Sequence, residues 1–92
     1  MIIFPHGGSW ARDYYEFNQE VQYFNSKGFA VLRVNFRGST SFGCKHVLAG
    51  VDNLDKVMIN DIADATSYAL EKFPLNENET SIYGHSYGGY AT

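Results

Sequence analysis

The sequence predicts an α/β fold in which parallel central strands are flanked by helices on both faces. Three observations predict it. Strand-like and helix-like segments alternate along the 92 residues. The strand-like segment over residues 29–36 lacks the polar alternation expected of a strand with one face in water. The helical segments between them are long enough for the right-handed crossovers that parallel strands require.

The first half of the chain predicts a strand, a helix and a second strand. An apolar run over residues 1–4 ends at Pro5 and is followed by Gly7 and Gly8, which indicates a buried strand that runs into a loop. The next apolar residues recur at intervals of three and four and predict one face of a helix that Gly28 ends; they are Tyr14, Phe17, Val21 and Phe24. Residues 29–36 are rich in β-branched and aromatic side chains, so we expect a parallel strand covered on both faces.

The second half predicts a long connection, a second helix, a short strand and the start of another helix. Glycines and small polar residues over 37–53 indicate an irregular connection, the kind of segment that often carries function. The helix that follows has Asp55 near its start, Pro74 just beyond its end and an apolar face formed by Met58, Ile62, Ala65, Ala69 and Phe73. A polar turn over 76–79 then leads into a short strand over 81–83.

Composition and charge exclude several classes of partner. Lys and Arg number 7 against 10 Asp and Glu, a net charge of −3, and no two basic residues are adjacent, so nucleic acid is not an expected partner. The same charge balance makes a membrane surface an unexpected partner. The longest apolar runs, 1–4 and 29–32, fall far short of the roughly 20 residues that a bilayer requires, so we expect no membrane span. The single cysteine, Cys44, cannot form an internal disulfide, which favours a reducing, cytoplasmic location.

The most informative motif lies between the last strand and the helix start. Residues 84–88 fit the pattern Gly-x-Ser-x-Gly, with Ser86 at the centre. A serine on a sharp strand-to-helix turn holds its hydroxyl clear of the backbone, and glycines two positions away on either side let neighbouring elements approach closely. The first amides of the helix point toward the place where an oxyanion forms on a substrate carbonyl.

A second motif ends the first strand. Pro5-His6-Gly7-Gly8 is the type of segment that supplies a further oxyanion donor after an early strand in α/β-hydrolases. One complete strand-bearing crossover separates it from the serine turn, which is the expected order of these two segments along the chain in that fold. Together the two motifs predict acyl transfer at Ser86.

With these motifs in place, the chain resembles the catalytic domain of the prolyl oligopeptidase family of serine peptidases, particularly the branch of acylaminoacyl-peptidases and dipeptidyl-aminopeptidases. The blocks that carry the resemblance are residues 5–8, 10–13, 17–18, 31–40, 42–43, 61–62 and 84–92. The resemblance implies that Ser86 is the nucleophile, that the backbone N–H of Tyr87 is one oxyanion donor and that the segment around His6 and Gly7 supplies the other. It implies a partial α/β-hydrolase fold and short peptide substrates. We expect neither a cofactor nor a metal.

The sequence departs from the family pattern in three places. Ser9 stands where relatives often have proline after the glycine pair, and residues 51–56 lack a Trp-Gly pair that many relatives carry. The third departure matters most, because the family supplies its acid and histidine after the nucleophile and only six residues follow Ser86. We therefore expect residues 1–92 to be one part of a larger catalytic domain that extends beyond both ends and completes the site.

The remaining polar residues are weaker candidates for a catalytic or metal-binding role. His85 is adjacent to Ser86, but neighbouring side chains on a tight turn diverge, so we expect it to fill the turn. His6 either polarises the substrate carbonyl or packs within its loop, and we expect His46 to be solvated. Arg37 either orients the substrate or pairs with nearby carboxylates from a buried position, and we expect the pairing. Asp61 and Asp64 lack a histidine or cysteine partner, so they indicate a solvated helix face and not a metal site.

Three functions remain open on the sequence alone. The first is a serine peptidase that cleaves peptide or acylaminoacyl bonds through an acyl-enzyme on Ser86. The second keeps the fold and hydrolyses carboxylic esters, since the same turn and loop serve acyl transfer generally. The third is a non-catalytic remnant or interaction module, because the expected acid and histidine are absent from these residues.

Overall fold

A computed structural model describes residues 1–8, 10–51, 53 and 56–92. The expectations for Ser9 and Asp55 lie outside the described residues. The elements in chain order are β1 (Ile2–Ile3), α1 (Gln19–Ser26), β2 (Val31–Leu32), α2 (Cys44–Val51), α3 (Val57–Lys72), a 3₁₀ turn (Glu77–Glu79), β3 (Ser81–Ile82) and α4 (Tyr87–Tyr90).

The described strands form a parallel sheet in the order β2-β1-β3. Ile2 of β1 pairs with Val31 on one side and Ser81 on the other, which places β1 at the centre. Parallel pairing was predicted from the crossovers and is confirmed. Val31 and Leu32 are only half buried, because β2 pairs with β1 alone among the described strands.

Helices cover the two faces of this sheet, as predicted. Met1 and Ile3 point to one face, where they pack with the buried side of α3, namely Met58, Ile62 and Ala69. Successive strand residues face opposite sides, so Phe4 points to the other face. There its ring lies 5.4 Å from that of Tyr83, which in turn contacts Phe24 of α1.

The first helix begins later than its apolar spacing predicts. Asn18 caps α1, since its Oδ1 accepts a hydrogen bond from the amide of Val21 at 3.0 Å. An N-cap residue has an extended backbone, so Tyr14 and Phe17 lie before the helix and are exposed. The prediction that they share the helical face of Val21 and Phe24 was wrong.

Two further predictions were wrong in the second half. Residues 37–53 do not form an irregular connection throughout, because α2 occupies Cys44–Val51. Phe73 is not on the buried face of α3, since it is the C-cap residue with extended backbone and its side chain is exposed. Within the described ranges, no helix is both long and apolar enough to cross a membrane.

Candidate active site

Ser86 lies on a strained turn between β3 and α4. Its φ of 57° and ψ of −128° fall in a region that side chains other than glycine rarely adopt. The residue is exposed, so solvent reaches this turn. A backbone of this kind persists only where the surrounding structure holds it in place.

The two glycines that flank Ser86 allow three backbone segments to meet at the turn. A Cβ on Gly84 would lie 2.5 Å from the carbonyl carbon of Gly88. A Cβ on Gly88 would overlap the carbonyl oxygen of Pro5 at the end of β1. Close approach therefore explains why glycine stands at both positions of the motif.

The loop after β1 borders the serine turn. A Cβ placed on Gly7 would lie 3.3 Å from Cβ and 3.8 Å from Oγ of Ser86. Gly8 then turns the chain with a φ of 72°. The structure thus brings together the two segments that the sequence singled out, which lie about 80 residues apart in the chain.

The side chain of His6 packs within its loop. The ring is buried and stacks on Phe36 with centroids 4.3 Å apart and planes at 19°. Its Nε2 lies 2.9 Å from Oγ of Ser39, and its Nδ1 lies 3.2 Å from the carbonyl oxygen of Gly7. Of the two roles considered for His6, the geometry favours packing for the side chain and leaves the backbone of residues 6–7 beside Ser86.

The other two histidines also have contacts away from Ser86. His85 is exposed, and its Nε2 lies 3.8 Å from a carboxylate oxygen of Glu20 on α1. His46 is half buried in α2, where Nε2 donates to the carbonyl of Phe36 at 3.0 Å, so the expectation that it is solvated was wrong. In the described part of the chain, each histidine is therefore engaged with a partner other than Ser86.

Arg37, in the loop after β2, forms a bidentate ion pair with Asp61 of α3. The Nε and Nη2 atoms of Arg37 donate to the Asp61 carboxylate at 3.0 and 2.6 Å, and the Arg37 amide adds a bond of 2.8 Å. Burial alone would raise the pKa of Asp61, but the hydrogen bonds and charge of Arg37 outweigh it and hold that pKa below its ordinary value. The predicted pairing is present, although Arg37 is exposed and not buried.

Sequence reasoning missed several residues that hold the site. Ser39 is fully buried and bonds His6, yet nothing in the local sequence distinguishes it from a loop serine. Glu20 accepts a hydrogen bond from the hydroxyl of Tyr83 at 3.0 Å, which raises the pKa of that phenol and joins α1 to the end of β3. No group of three or more His, Cys, Asp or Glu side chains is placed to hold a metal ion in the described ranges.

A serine on a strained strand-to-helix turn, bordered by the glycine loop of a neighbouring parallel strand, defines the α/β-hydrolase class. A known structure supports this class: a puromycin-hydrolysing peptidase of Mycobacterium tuberculosis superposes with a TM-score of 0.94 at 28% sequence identity, over 99% of this chain and 14% of that one. Residues 15–92 match the model of the prolyl oligopeptidase family. The chain belongs to that family.

Curated relatives match over the same span. Dipeptidyl peptidase family member 6 of Caenorhabditis elegans is 44% identical to this chain over 92 residues. Dipeptidyl aminopeptidase BIII of Pseudoxanthomonas mexicana is 41% identical over 92 residues. Both matches cover 100% of this chain. The human acylamino-acid-releasing enzyme is 30% identical over 90 residues, or 98% of this chain. The chain spans only 12%, 13% and 12% of the lengths of these three relatives.

Proposed function

We propose that this chain is the nucleophile-bearing part of a serine peptidase and that Ser86 forms the acyl-enzyme. The observation that carries the proposal is the position of Gly7 against Ser86, which sits exposed on a turn with positive φ. Hydroxyl attack on a carbonyl requires the oxygen to be accessible and amide donors to lie beside the carbonyl oxygen. The exposed turn supports the first requirement, and the position of the adjoining loop supports our proposal that its amides supply the second.

The oxyanion formed in this attack is proposed to be held by backbone amides from two segments. The N–H of Tyr87 begins α4 directly after Ser86. The N–H groups of His6 and Gly7 belong to the loop that borders Ser86, and we propose that this segment supplies the second donor. Each donor in such a site stabilises the transition state by roughly 3 kcal/mol.

The general base and its carboxylate partner are proposed to come from residues outside the chain described. A serine hydroxyl is a weak nucleophile until a base within hydrogen-bond reach accepts its proton. His6, His46 and His85 contact Ser39, Phe36 and Glu20 respectively. The small fraction of its relatives' length that this chain represents is consistent with a completed site in a longer protein.

The substrates are proposed to be short peptides or N-acylated amino acyl peptides. Support comes from the names of the relatives, two of which are dipeptidyl peptidases or aminopeptidases and one an acylamino-acid-releasing enzyme. A cytoplasmic location is proposed from the single cysteine, Cys44. Cell fractionation with an antibody against these residues would test it, and recovery in a secreted fraction would contradict it.

Covalent labelling tests the role of Ser86. The protein at its natural length is treated with a fluorophosphonate probe, which phosphonylates activated serines. We expect labelling of the parent protein, none of the Ser86→Ala variant, and full labelling of Ser67→Ala, which removes an exposed hydroxyl from α3. Persistent labelling of Ser86→Ala would refute the assignment.

Substrate comparison then tests the peptidase part of the proposal. Initial rates on an aminoacyl anilide, an N-acetyl-aminoacyl anilide and a simple carboxylic ester are compared for the same preparation. Turnover of either anilide supports a peptidase. Turnover of the ester alone would leave Ser86 as nucleophile and replace peptidase by esterase.

A further inference from the structure

We propose that Ser39 is a positioning residue for the oxyanion loop and that it acts through its hydrogen bond to the buried ring of His6. The inference rests on the proposed function, since it concerns the same reaction. It starts from an unusual juxtaposition, because Ser39 is fully buried and lies 33 positions from His6 in the chain. A hydroxyl so removed from water requires a partner, and the His6 ring provides it at 2.9 Å.

The two ring contacts of His6 fix the direction of this hydrogen bond. The carbonyl oxygen of Gly7, 3.2 Å from Nδ1, can only accept a hydrogen bond. A neutral imidazole that satisfies both contacts therefore carries its proton on Nδ1 and accepts the Ser39 hydroxyl proton at Nε2. The ring therefore links Ser39 to the carbonyl of Gly7, which belongs to the peptide between Gly7 and Gly8.

Packing against Phe36 also restricts the His6 ring. The His6 ring stacks on Phe36, which is 1% exposed and whose ring lies 5.6 Å from that of Tyr87. Stacking fixes the plane of the imidazole but permits rotation within that plane. The hydrogen bond to Ser39 removes this remaining freedom, so the peptide between Gly7 and Gly8, and with it the backbone of Gly7, keeps one orientation beside Ser86.

The consequence for catalysis follows from where that peptide lies. Gly7 borders the Ser86 side chain, so a small rotation of the loop moves a proposed amide donor relative to the oxyanion. A displacement of about 1 Å in a catalytic group costs on the order of 100-fold in rate. Substrate binding in the ground state depends less on this donor, so the effect falls on kcat and not on KM.

A double-mutant cycle on the protein at its natural length tests the proposal. Ser39→Ala removes the hydroxyl, and His6→Phe keeps an aromatic ring on Phe36 but removes both ring nitrogens. We expect each single variant to lower kcat by about 10- to 100-fold with KM within about twofold. The double variant should lose no more than the worse single variant, because both changes remove the same bond. Losses that multiply in the double variant would overturn the proposal.

Further measurements separate this proposal from misfolding and from failure of the proposed function. Ser39→Thr keeps the hydroxyl and should retain most of the kcat that Ser39→Ala loses, and Ser67→Ala on α3 should match the parent protein. Affinity for a peptide aldehyde, which forms a tetrahedral adduct, should fall with kcat in Ser39→Ala. Should Ser86→Ala abolish activity while Ser39→Ala and His6→Phe keep the parent kcat, the positioning role is wrong and the nucleophile stands. Should Ser86→Ala stay active, the proposed function itself fails.

Discussion

Gly88 packs against the carbonyl group of Pro5 so closely that the Cβ of any other residue would overlap its oxygen. This contact joins the helix that follows Ser86 to the strand end that leads into the loop of His6 and Gly7. The positions of the serine turn and the loop are therefore not independent. Any shift of α4 away from β1 therefore also widens the gap between the proposed nucleophile and the donors proposed in the loop of His6 and Gly7.

Replacement of Gly88 by alanine should separate these two segments. Excess volume against backbone costs roughly 1–3 kcal/mol, and a shift of about 1 Å at the site would lower kcat on the order of 100-fold. Chemical denaturation and turnover of the natural-length protein measure the two effects. Gly89→Ala is the matched control, since its Cβ would lie 3.3 Å from the Gly84 carbonyl oxygen, a milder contact. Equal stability and activity of the two variants would contradict the account.

The strained backbone at Ser86 predicts that glycine is a more stable replacement there than alanine. Both Ser86→Ala and Ser86→Gly should abolish turnover, but glycine accepts a φ of 57° without the cost of a Cβ. We expect Ser86→Gly to be more stable than Ser86→Ala by up to about 1 kcal/mol, as measured by thermal unfolding.

A regular helical position provides the control for that comparison. At Ser67 within α3, glycine should be less stable than alanine by about 1 kcal/mol, the reverse order. If glycine were the less stable replacement at both positions, the backbone at Ser86 would carry no strain that the protein has to offset.

The architecture and the two active-site segments could be predicted because local signals encode them. Pro5, the glycine pair after it and the Gly-x-Ser-x-Gly pattern mark where strands end, and the crossover rule then makes the strands parallel and brings those ends to one edge. Side-chain hydrogen bonds between residues far apart in the chain have no such local signal. The bond from Ser39 to His6 depends on how the loop after β2 folds back over β1, which no spacing in the sequence records.

The errors in secondary structure have equally specific causes. Tyr14 and Phe17 share the apolar spacing of Val21 and Phe24. Asn18 caps the N-terminus of α1, however, so the helix begins only after them. The glycines over 37–53, Gly50 among them, favoured a loop. Gly50 instead belongs to α2, because that helix crosses the loop after β2 at this residue. A Cβ on Gly50 would lie 2.6 Å from Cα of Gly38, so the glycine serves helix packing and not chain reversal.

The ion pair of Arg37 and Asp61 predicts a pH dependence of stability. The folded protein holds the pKa of Asp61 below its ordinary value of about 3.9, so the unfolded state binds a proton at higher pH than the folded state does. The stabilisation is present above that ordinary value and is lost as the pH falls through the lower pKa of the folded protein. Asp61→Asn should therefore flatten the acid side of a plot of melting temperature against pH.

The control for this prediction is Asp64→Asn, which removes an exposed carboxylate three positions further along α3. The melting temperature of Asp64→Asn should fall at acid pH in the same way as that of the parent protein. Salt should also weaken the effect of Asp61, since Arg37 is largely exposed. An unchanged acid limb in Asp61→Asn would show that the pair does not couple to folding.

His46 is predicted to fasten α2 to the loop after β2. Its Nε2 donates to the carbonyl of Phe36, and its own carbonyl accepts a hydrogen bond from the amide of Gly38 at 2.8 Å. His46→Ala removes the first bond, but the Phe36 carbonyl keeps the amide of Ser39 as a donor, so we expect the free energy of unfolding to fall by about 0.5–1.5 kcal/mol. Because Phe36 also supports the His6 ring, local loosening should spread toward the proposed site.

Hydrogen exchange resolves this loosening residue by residue. In His46→Ala the amides of Gly38 and Ser39, which bond to the carbonyls of His46 and Phe36, should exchange at least about tenfold faster than in the parent protein. Amides of α1 should keep their protection, since α1 covers the other face of the sheet. Lys45→Ala, an exposed neighbour in α2, should leave Gly38 and Ser39 unchanged. Unaltered exchange of these two amides in His46→Ala would contradict the prediction. It would mean that the packing of Gly50 on Gly38, together with the backbone hydrogen bond from Gly38 to residue 46, holds α2 in place without the imidazole.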